Sequence, residues 1–282
     1  MMKMQGGLGN QLFQYSLGRH LAYKNKTELL LDISWYAAIP DRQYDLDVFN
    51  ISASIASTKE IRAIKGSLLA KIRQHFRPNA SIPIVREQSF RFDPAILDIH
   101  TSVYLEGYWQ SAKYFTDIAD IIRRDLTLKH NPTGKNATLF KQIQDSTAVS
   151  LHVRRGDYVT NKRFNQYHGV TSLDYYRQAV DLIAKKVSKP HFYIFSDDPK
   201  WVENNIKLHF PTTFVTHNGD RSEEDLRLMS HCQHFIIANS TFSWWGAWLS
   251  KNPQKTVIAP KAWFNQKNAD TKHLIPQSWV RL

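Results

Sequence analysis

Three clusters in this chain combine residue types that can do chemistry. The first is Gly6-Gly7-Leu8-Gly9-Asn10-Gln11. Glycines placed before a helix let backbone N–H groups approach an anion, where the helix dipole favours negative charge. Gly7 and Gly9, with Asp32 ending the next apolar run, also match part of a dinucleotide fingerprint, although Leu12 stands at the third glycine position. A tight turn entering a helix accounts for the same residues without a ligand.

The second cluster is His152-Val153-Arg154-Arg155-Gly156-Asp157-Tyr158, at the end of an apolar run. Strand alternation sends His152 and Arg154 to one face and Val153 to the other. Adjacent guanidiniums at a strand end suit bidentate binding of phosphate oxygens. Asp157 can orient one of them or act as a base; the bland alternative is a surface Arg–Asp pair of little energetic weight. The third cluster, Asn239-Ser240-Thr241-Phe242-Ser243-Trp244-Trp245, is a hydroxyl-rich turn between a strand and a helix, again suited to an anion. Its tryptophans either wall a ligand or, more simply, fill a core. Ser196-Asp197-Asp198-Pro199 adds a polar strand end to the same half.

The elements that must position these clusters alternate between short strand-like runs and longer helical ones, the pattern of an α/β protein. Helices are predicted over Asn10–Asn25, from Ile61 to Phe76, over Lys113–Leu126, from Leu173 to Val187 with Ser172 as N-cap, from Asp198-Pro199 onward, from Ser222 to His231, and over Ser243–Leu249. Strands are predicted at Leu29–Leu31, at Tyr44-Leu46-Val48, and at Val103–Leu105, Ala148–Val153, His191–Phe195 and Phe235–Ala238. Asn131-Pro132-Thr133-Gly134 reads as the linker, giving two α/β halves, 1–140 and 141–282.

Other chemistries find no support. There is no Gly-Lys-Ser/Thr phosphate loop, one cysteine (Cys232) allows no internal disulfide, and the 12 histidines lack the spacing of a zinc site. Asp45-Leu46-Asp47 matches an Asp-x-Asp metal pattern, but in an alternating strand both carboxylates share the solvent face, and a structural role is expected. With 282 residues, 42% hydrophobic and 22% charged, the chain is an ordinary globular one. No signal-peptide h-region opens it, and Leu228–Ser250, free of charged residues, carries too many polar groups for a bilayer span. A soluble cytoplasmic protein is expected.

Taken as a set, the clusters are recognisable. Gly6 to Tyr15, Gly107-Tyr108-Trp109-Gln110-Ser111, His152–Tyr158 and Asn239–Trp245 occur in an order that resembles the bacterial α-1,2-fucosyltransferases of glycosyltransferase family 11, and Glu224–Leu249 is especially close. The resemblance spans nearly the whole chain. It implies a GT-B fold of two Rossmann-like domains facing each other across a cleft, the N-terminal one on the acceptor side. It also implies a metal-independent, inverting transfer of fucose from GDP-β-L-fucose, a substrate and not a cofactor, to the 2-hydroxyl of a β-galactoside. Arg154 then holds the β-phosphate with His152 and Arg155 nearby. Ser240 and Thr241, with Asn239, form the second phosphate-side turn, Asp197-Asp198 a polar donor-side pair, and Gly7, Gly9 and Asn10 further donor contacts. Asp157 is the candidate base. In one departure from the family pattern, only Met1–Gln5 precede Gly6-Gly7. A nicotinamide oxidoreductase, and a GT-B enzyme using another nucleotide sugar, are the rival readings.

The net charge of +12 lies mostly elsewhere. Segment 59–91 carries eight basic residues against Glu60 and Glu87, and 251–282 carries six against Asp270. Nucleic acid is not an expected partner. A helix with Ile61, Ile64, Leu68 and Ile72 on one face can rest on an anionic membrane, near a lipid-linked acceptor, or simply present a solvated basic surface.

Overall fold

The computed structural model describes residues 1–65, 82–160, 165–167, 169–265 and 270–282, with the side chains of Asp157 and Thr160 outside the description. The chain forms two compact units, Met1–Thr127 with Lys272–Leu274, and Leu128–Thr271 with Ile275–Leu282.

The first unit is built on a parallel sheet in the order β3-β2-β1-β5-β4. Its strands are β1 (Met2–Lys3), β2 (Leu30–Asp32), β3 (Ser54–Ile55), β4 (Ile84–Arg86) and β5 (Tyr104–Glu106). So the few residues ahead of the glycines do form a strand, paired on both sides. The helix Leu8–Asn25 is buried on most of its surface, including Leu12, Phe13, Tyr15 and Leu17. Gly18 permits that close packing, because a β-carbon there would stand 2.7 Å from Leu29 Cδ1. Polar side chains buried on this helix are satisfied, as burial demands. Gln14 accepts from Gln5 N and donates to Gly107 O, and Tyr15 donates its hydroxyl proton to Asp125.

Two predicted elements differ. Tyr44-Leu46-Val48 is not a strand: Leu46–Val48 is a single 3₁₀ turn, because Gln11 binds the backbone of Gln43 and Asp45 and pulls the segment onto the helix. Asp45 accepts from Gln11 and is half-buried while Asp47 is exposed, so the two carboxylates do not share the solvent face of a strand as expected. Lys113–Leu126 is also broken, into 3₁₀ turns Ala112–Tyr114 and Thr116–Ile118 and the helix Ala119–Asp125. Phe115, between the turns, is fully buried against Phe13 at 6.1 Å, and its φ of −146°, outside the helical region, interrupts the helix. The basic helix is seen over Thr58–Lys65, without a buried residue, and the rest of the predicted 61–76 helix lies outside the described residues.

The second unit carries a parallel sheet in the order β11-β10-β9-β6-β7-β8. The strands are β6 (Thr147–Val153), β7 (Pro190–Ser196), β8 (Thr212–Val215), β9 (His234–Ile236), β10 (Val257–Ala259) and β11 (Val280–Arg281). Near-continuous apolar runs are what a parallel sheet covered on both faces requires. Val149, Leu151, Phe192, Ile194 and Ile236 supply that core with Ala179 and Ile183 of the helix Leu173–Lys186. The sheet grows from β6 first toward β7 and β8, then back toward β9 and β10, so a topological switch point lies between β6 and β9. Ser172 and Asp198 cap their helices as predicted, each accepting a backbone N–H.

The division between the units falls after Thr127, ahead of the predicted position 140. Asn131–Thr133 are irregular chain just inside the second unit, and Gly134 opens the helix Gly134–Gln144, which packs on β6 and on the helix Ser222–His231. Leu228–Ser250 is split into a helix end, β9 and the helix Thr241–Leu249. No helix among the described residues is long and apolar enough to cross a membrane.

Candidate active site

The register between β6 and β7 pairs Val153 with Ser196, so the residues that follow, Arg154-Arg155 and Asp197-Asp198, leave the sheet side by side. Arg154 Nη1 lies 3.1 Å from Asp197 Oδ2 and Arg155 Nε 3.3 Å from Asp198 Oδ2. The backbone N–H of Arg155 donates to Asp197 Oδ1 at 2.8 Å. Two guanidiniums are therefore each braced at a strand end by a carboxylate that is itself anchored to backbone N–H groups. Asp198 also caps the helix Pro199–Asn205 through Trp201 N. Arg155 stacks its guanidinium 3.8 Å over the Trp201 ring, and Arg154 lies 5.5 Å over Tyr158.

These guanidiniums are the chemical substance of the site. Arg154 is 23% and Arg155 18% exposed, enough for an anion to reach them while most of each side chain is packed. Guanidinium forks match phosphate oxygens two at a time, and partial burial strengthens that attraction. His152, one turn of the pleat back on the same face, is buried at 3% exposure. Burial, and then the Arg154 charge, push its imidazole down to about 3, so it is neutral at pH 7. Its Nδ1 has no hydrogen-bond partner, and its ring sits 5.6 Å from Phe242.

On the other side of β6, the chain leaves β9 through Asn239-Ser240-Thr241. Asn239 is a buried linchpin: its amide donates to Gly169 O and Trp263 O and accepts from Thr171 Oγ1. Tyr158 donates its hydroxyl to Asn239 O, which ties the arginine turn to this one. Ser240 caps the helix Thr241–Leu249 by accepting from Phe242 N. The helix start thus lies at the strand-end edge, on the β9 side of the switch point. Trp244, Trp245 and Trp248 are core: Trp244 and Trp248 stack at 6.2 Å, and Trp279 packs on Trp244 at 5.5 Å.

His152, Arg154, Arg155, Asp197, Asp198, Asn239, Ser240 and Thr241 therefore gather at the ends of three adjacent strands, β9, β6 and β7. The backbone of Asp157 lies in the short helix Gly156–Thr160. Gly7, Gly9 and Asn10 belong to the first unit. There Gly7 is the N-cap of the helix Leu8–Asn25 without a side-chain cap, Gly9 is buried within it, and Asn10 accepts from Gln110 Nε2 at 2.9 Å.

Asp32 has no capacity left for a ribose. It is fully buried and accepts from Tyr104 Oη, Lys65 Nζ and Ser34 N. Burial works to raise its pKa, but those hydrogen bonds hold it down to about 2. Trp201, the platform for Arg155, escaped the sequence reading; its only signal was a position three residues after the capping Asp198. Glu87, whose carboxylate accepts from Tyr108 N and Trp109 N, left no signal of any kind.

Comparison with known proteins adds three findings. The sequence model of glycosyl transferase family 11 matches residues 84–282. An Escherichia coli α-1,2-colitosyltransferase is 31% identical over 99% of this chain and 97% of its own, and the mouse galactoside 2-α-L-fucosyltransferase Sec1 is 25% identical over 93% and 70%. Among solved structures, an Arabidopsis thaliana FUT1 variant in complex with GDP superposes with a TM-score of 0.51 at 13% identity, covering 99% of this chain and 75% of that one. That last likeness supports the GT-B fold class of two Rossmann-like α/β units.

Proposed function

Because the chain belongs to glycosyl transferase family 11, we propose that it moves L-fucose from GDP-β-L-fucose to the 2-hydroxyl of a terminal β-galactoside, with inversion and without a metal. The observation that carries this reading is the pair of guanidiniums at the β6 end, each braced by a carboxylate from the β7 end.

The acceptor O2 attacks the anomeric carbon of fucose as the bond from that carbon to the β-phosphate oxygen breaks. The bonding pair leaves with GDP, the O2 proton passes to a base, and β becomes α. Charge therefore grows on the β-phosphate, and fixed donors aimed there stabilise the transition state more than the ground state. Arg154 is assigned to that phosphate and Arg155 to its neighbour, with Asp197 and Asp198 keeping both forks oriented. Neutral His152, with an unused ring nitrogen, offers a hydrogen bond without adding charge. The turn Asn239-Ser240-Thr241 brings a helix N-terminus to the phosphates. Gly7, Gly9 and Asn10 are proposed as further donor contacts, and Asp157 as the base. The GDP held by the Arabidopsis relative and the fucosyltransferase named in mouse support the donor class.

The 31% identity to a colitosyltransferase favours a second donor. Colitose is fucose without its 3-hydroxyl, so both would use the same phosphate contacts. Purified protein should be given GDP-fucose, GDP-colitose, GDP-mannose and UDP-galactose in turn, with lactose as acceptor and EDTA present. Fucosyl product with an α-1,2 linkage by NMR is expected. Transfer from GDP-colitose alone would move the assignment to that sugar, and loss of activity in EDTA would remove metal independence.

A further inference from the structure

The second strand-end edge of interest lies wholly in the first unit, where β1, β5 and β4 are adjacent. After β5 the chain makes the turn Gly107-Tyr108-Trp109-Gln110-Ser111. Trp109 sits in the left-handed region at φ +57°, a conformation that bulky residues adopt only when their surroundings impose it. Glu87, directly after β4, imposes it. Its Oε2 accepts from Tyr108 N at 2.7 Å and its Oε1 from Trp109 N at 2.9 Å. A β-carbon on Gly107 would collide with that of Glu87, so glycine is required for the approach. Gln14 donates to Gly107 O and Ser111 donates to His273 O, which pins both ends of the turn.

What this bracing presents is Gln110. Its side chain is 93% buried by exposure of 7%, and Nε2 donates to Asn10 Oδ1 at 2.9 Å, beside the Gly6-Gly7 turn. Its carbonyl Oε1 is buried without a partner. Proteins rarely leave a buried acceptor unmet. The same turn also seats the Trp109 ring in the core, edge-on to Tyr114 at 5.8 Å, but that packing does not supply a donor to Gln110 Oε1. Tyrosines are close by: Tyr36 donates to Gly6 O and its ring lies 6.4 Å from Tyr44. An uncharged amide acceptor beside aromatic side chains suits a sugar hydroxyl better than an anion or a cation.

Resting on the glycosyl-transfer reading above, we infer that Gln110 Oε1 accepts a hydrogen bond from a hydroxyl of a bound sugar, with Glu87 as the positioning residue that holds the turn. The hydroxyl belongs either to the galactoside acceptor or to the sugar of the donor, and the two are separable by experiment.

The test compares wild-type protein with Gln110→Met, which keeps the volume and removes the acceptor, and Gln110→Glu, which keeps a carbonyl oxygen at the same place. Measured are KM and kcat of transfer, donor hydrolysis without acceptor, and the Kd of GDP. Gln110→Met should raise a sugar-dependent constant about tenfold or more, the usual worth of a buried hydrogen bond to a ligand, with GDP affinity within about twofold. Gln110→Glu should recover most of the loss. A raised acceptor KM with unchanged hydrolysis places the hydroxyl on the acceptor; weakened GDP-fucose binding with unchanged GDP binding places it on the donor sugar. Unchanged constants for Gln110→Met, or for Gln110→Asn if the Met variant does not fold, overturn the inference. Failure of the wild-type protein to transfer any sugar would instead count against the glycosyl-transfer reading, and the two failures are thus distinct.

Discussion

A β-carbon on Gly156 would stand 2.6 Å from Oδ2 of Asp197, the oxygen that meets Arg154. The glycine after the arginine pair is therefore a spacer for the carboxylate that orients the pair, and its φ is not in the left-handed region. Gly156→Ala should push Asp197 aside and lower kcat/KM about tenfold to a hundredfold, as sub-ångström misplacement of a phosphate clamp does. Thermal melting should barely move. A variant of full activity would show that Asp197 does not set the geometry of Arg154.

Arg154→Lys keeps the charge but not the fork. Lysine cannot grip two phosphate oxygens with one planar fork. Turnover should fall by about 10²–10³, comparable to the loss of one positioned transition-state donor. Steady-state kinetics at saturating donor decide it, and near-wild-type kcat would end the assignment.

His152 makes acid stability predictable in sign. The folded protein keeps the imidazole neutral down to about pH 3, whereas an unfolded chain takes up the proton below about 6.5. The unfolded state thus binds more protons in that window, and stability present in full above pH 6.5 is lost as pH falls toward 3. Urea titrations of wild type and His152→Gln should differ less at pH 5 than at pH 7, by about 2 kcal/mol. Parallel pH curves for the two proteins would mean that His152 titrates normally.

Asp125 is the polar keystone of the first unit. It is 4% exposed, accepts from Tyr15 Oη and Arg19 Nε at 2.8 Å each, and Arg19 is itself 14% exposed. Removing one partner of a buried pair leaves the other charge stranded. Asp125→Ala should cost about 3 kcal/mol, read as a lower urea midpoint with an unchanged slope. A loss below about 1 kcal/mol would mean that water replaces the carboxylate.

Local chemistry was legible in the order of residues. Ser172 and Asp198 announced their helices because an N-cap needs only one side chain and the next few N–H groups. The apolar runs at Ala148–Val153 and His191–Phe195 announced buried parallel strands for the same local reason, and the residues at their ends became candidates before any contact was known. The clusters around Arg154 and Ser240 also carried the family resemblance, which is a property of sequence alone.

Contacts between distant positions were decided by tertiary structure. Arg154 and Asp197 are brought together by the β6–β7 register, and nothing near either residue specifies that register. Leu46–Val48 alternates like a strand, yet Gln11 captures its neighbours and makes it a turn, because a buried amide must find partners wherever the packed chain offers them. Glu87 and Gln110 show the same dependence. Their roles come from hydrogen bonds across a sheet edge, between residues 21 to 100 positions apart. Side-chain type and local spacing set which groups exist and which elements form. Which of those groups meet, and which buried acceptor is left for a ligand, follows only from packing two sheets and their helices at once.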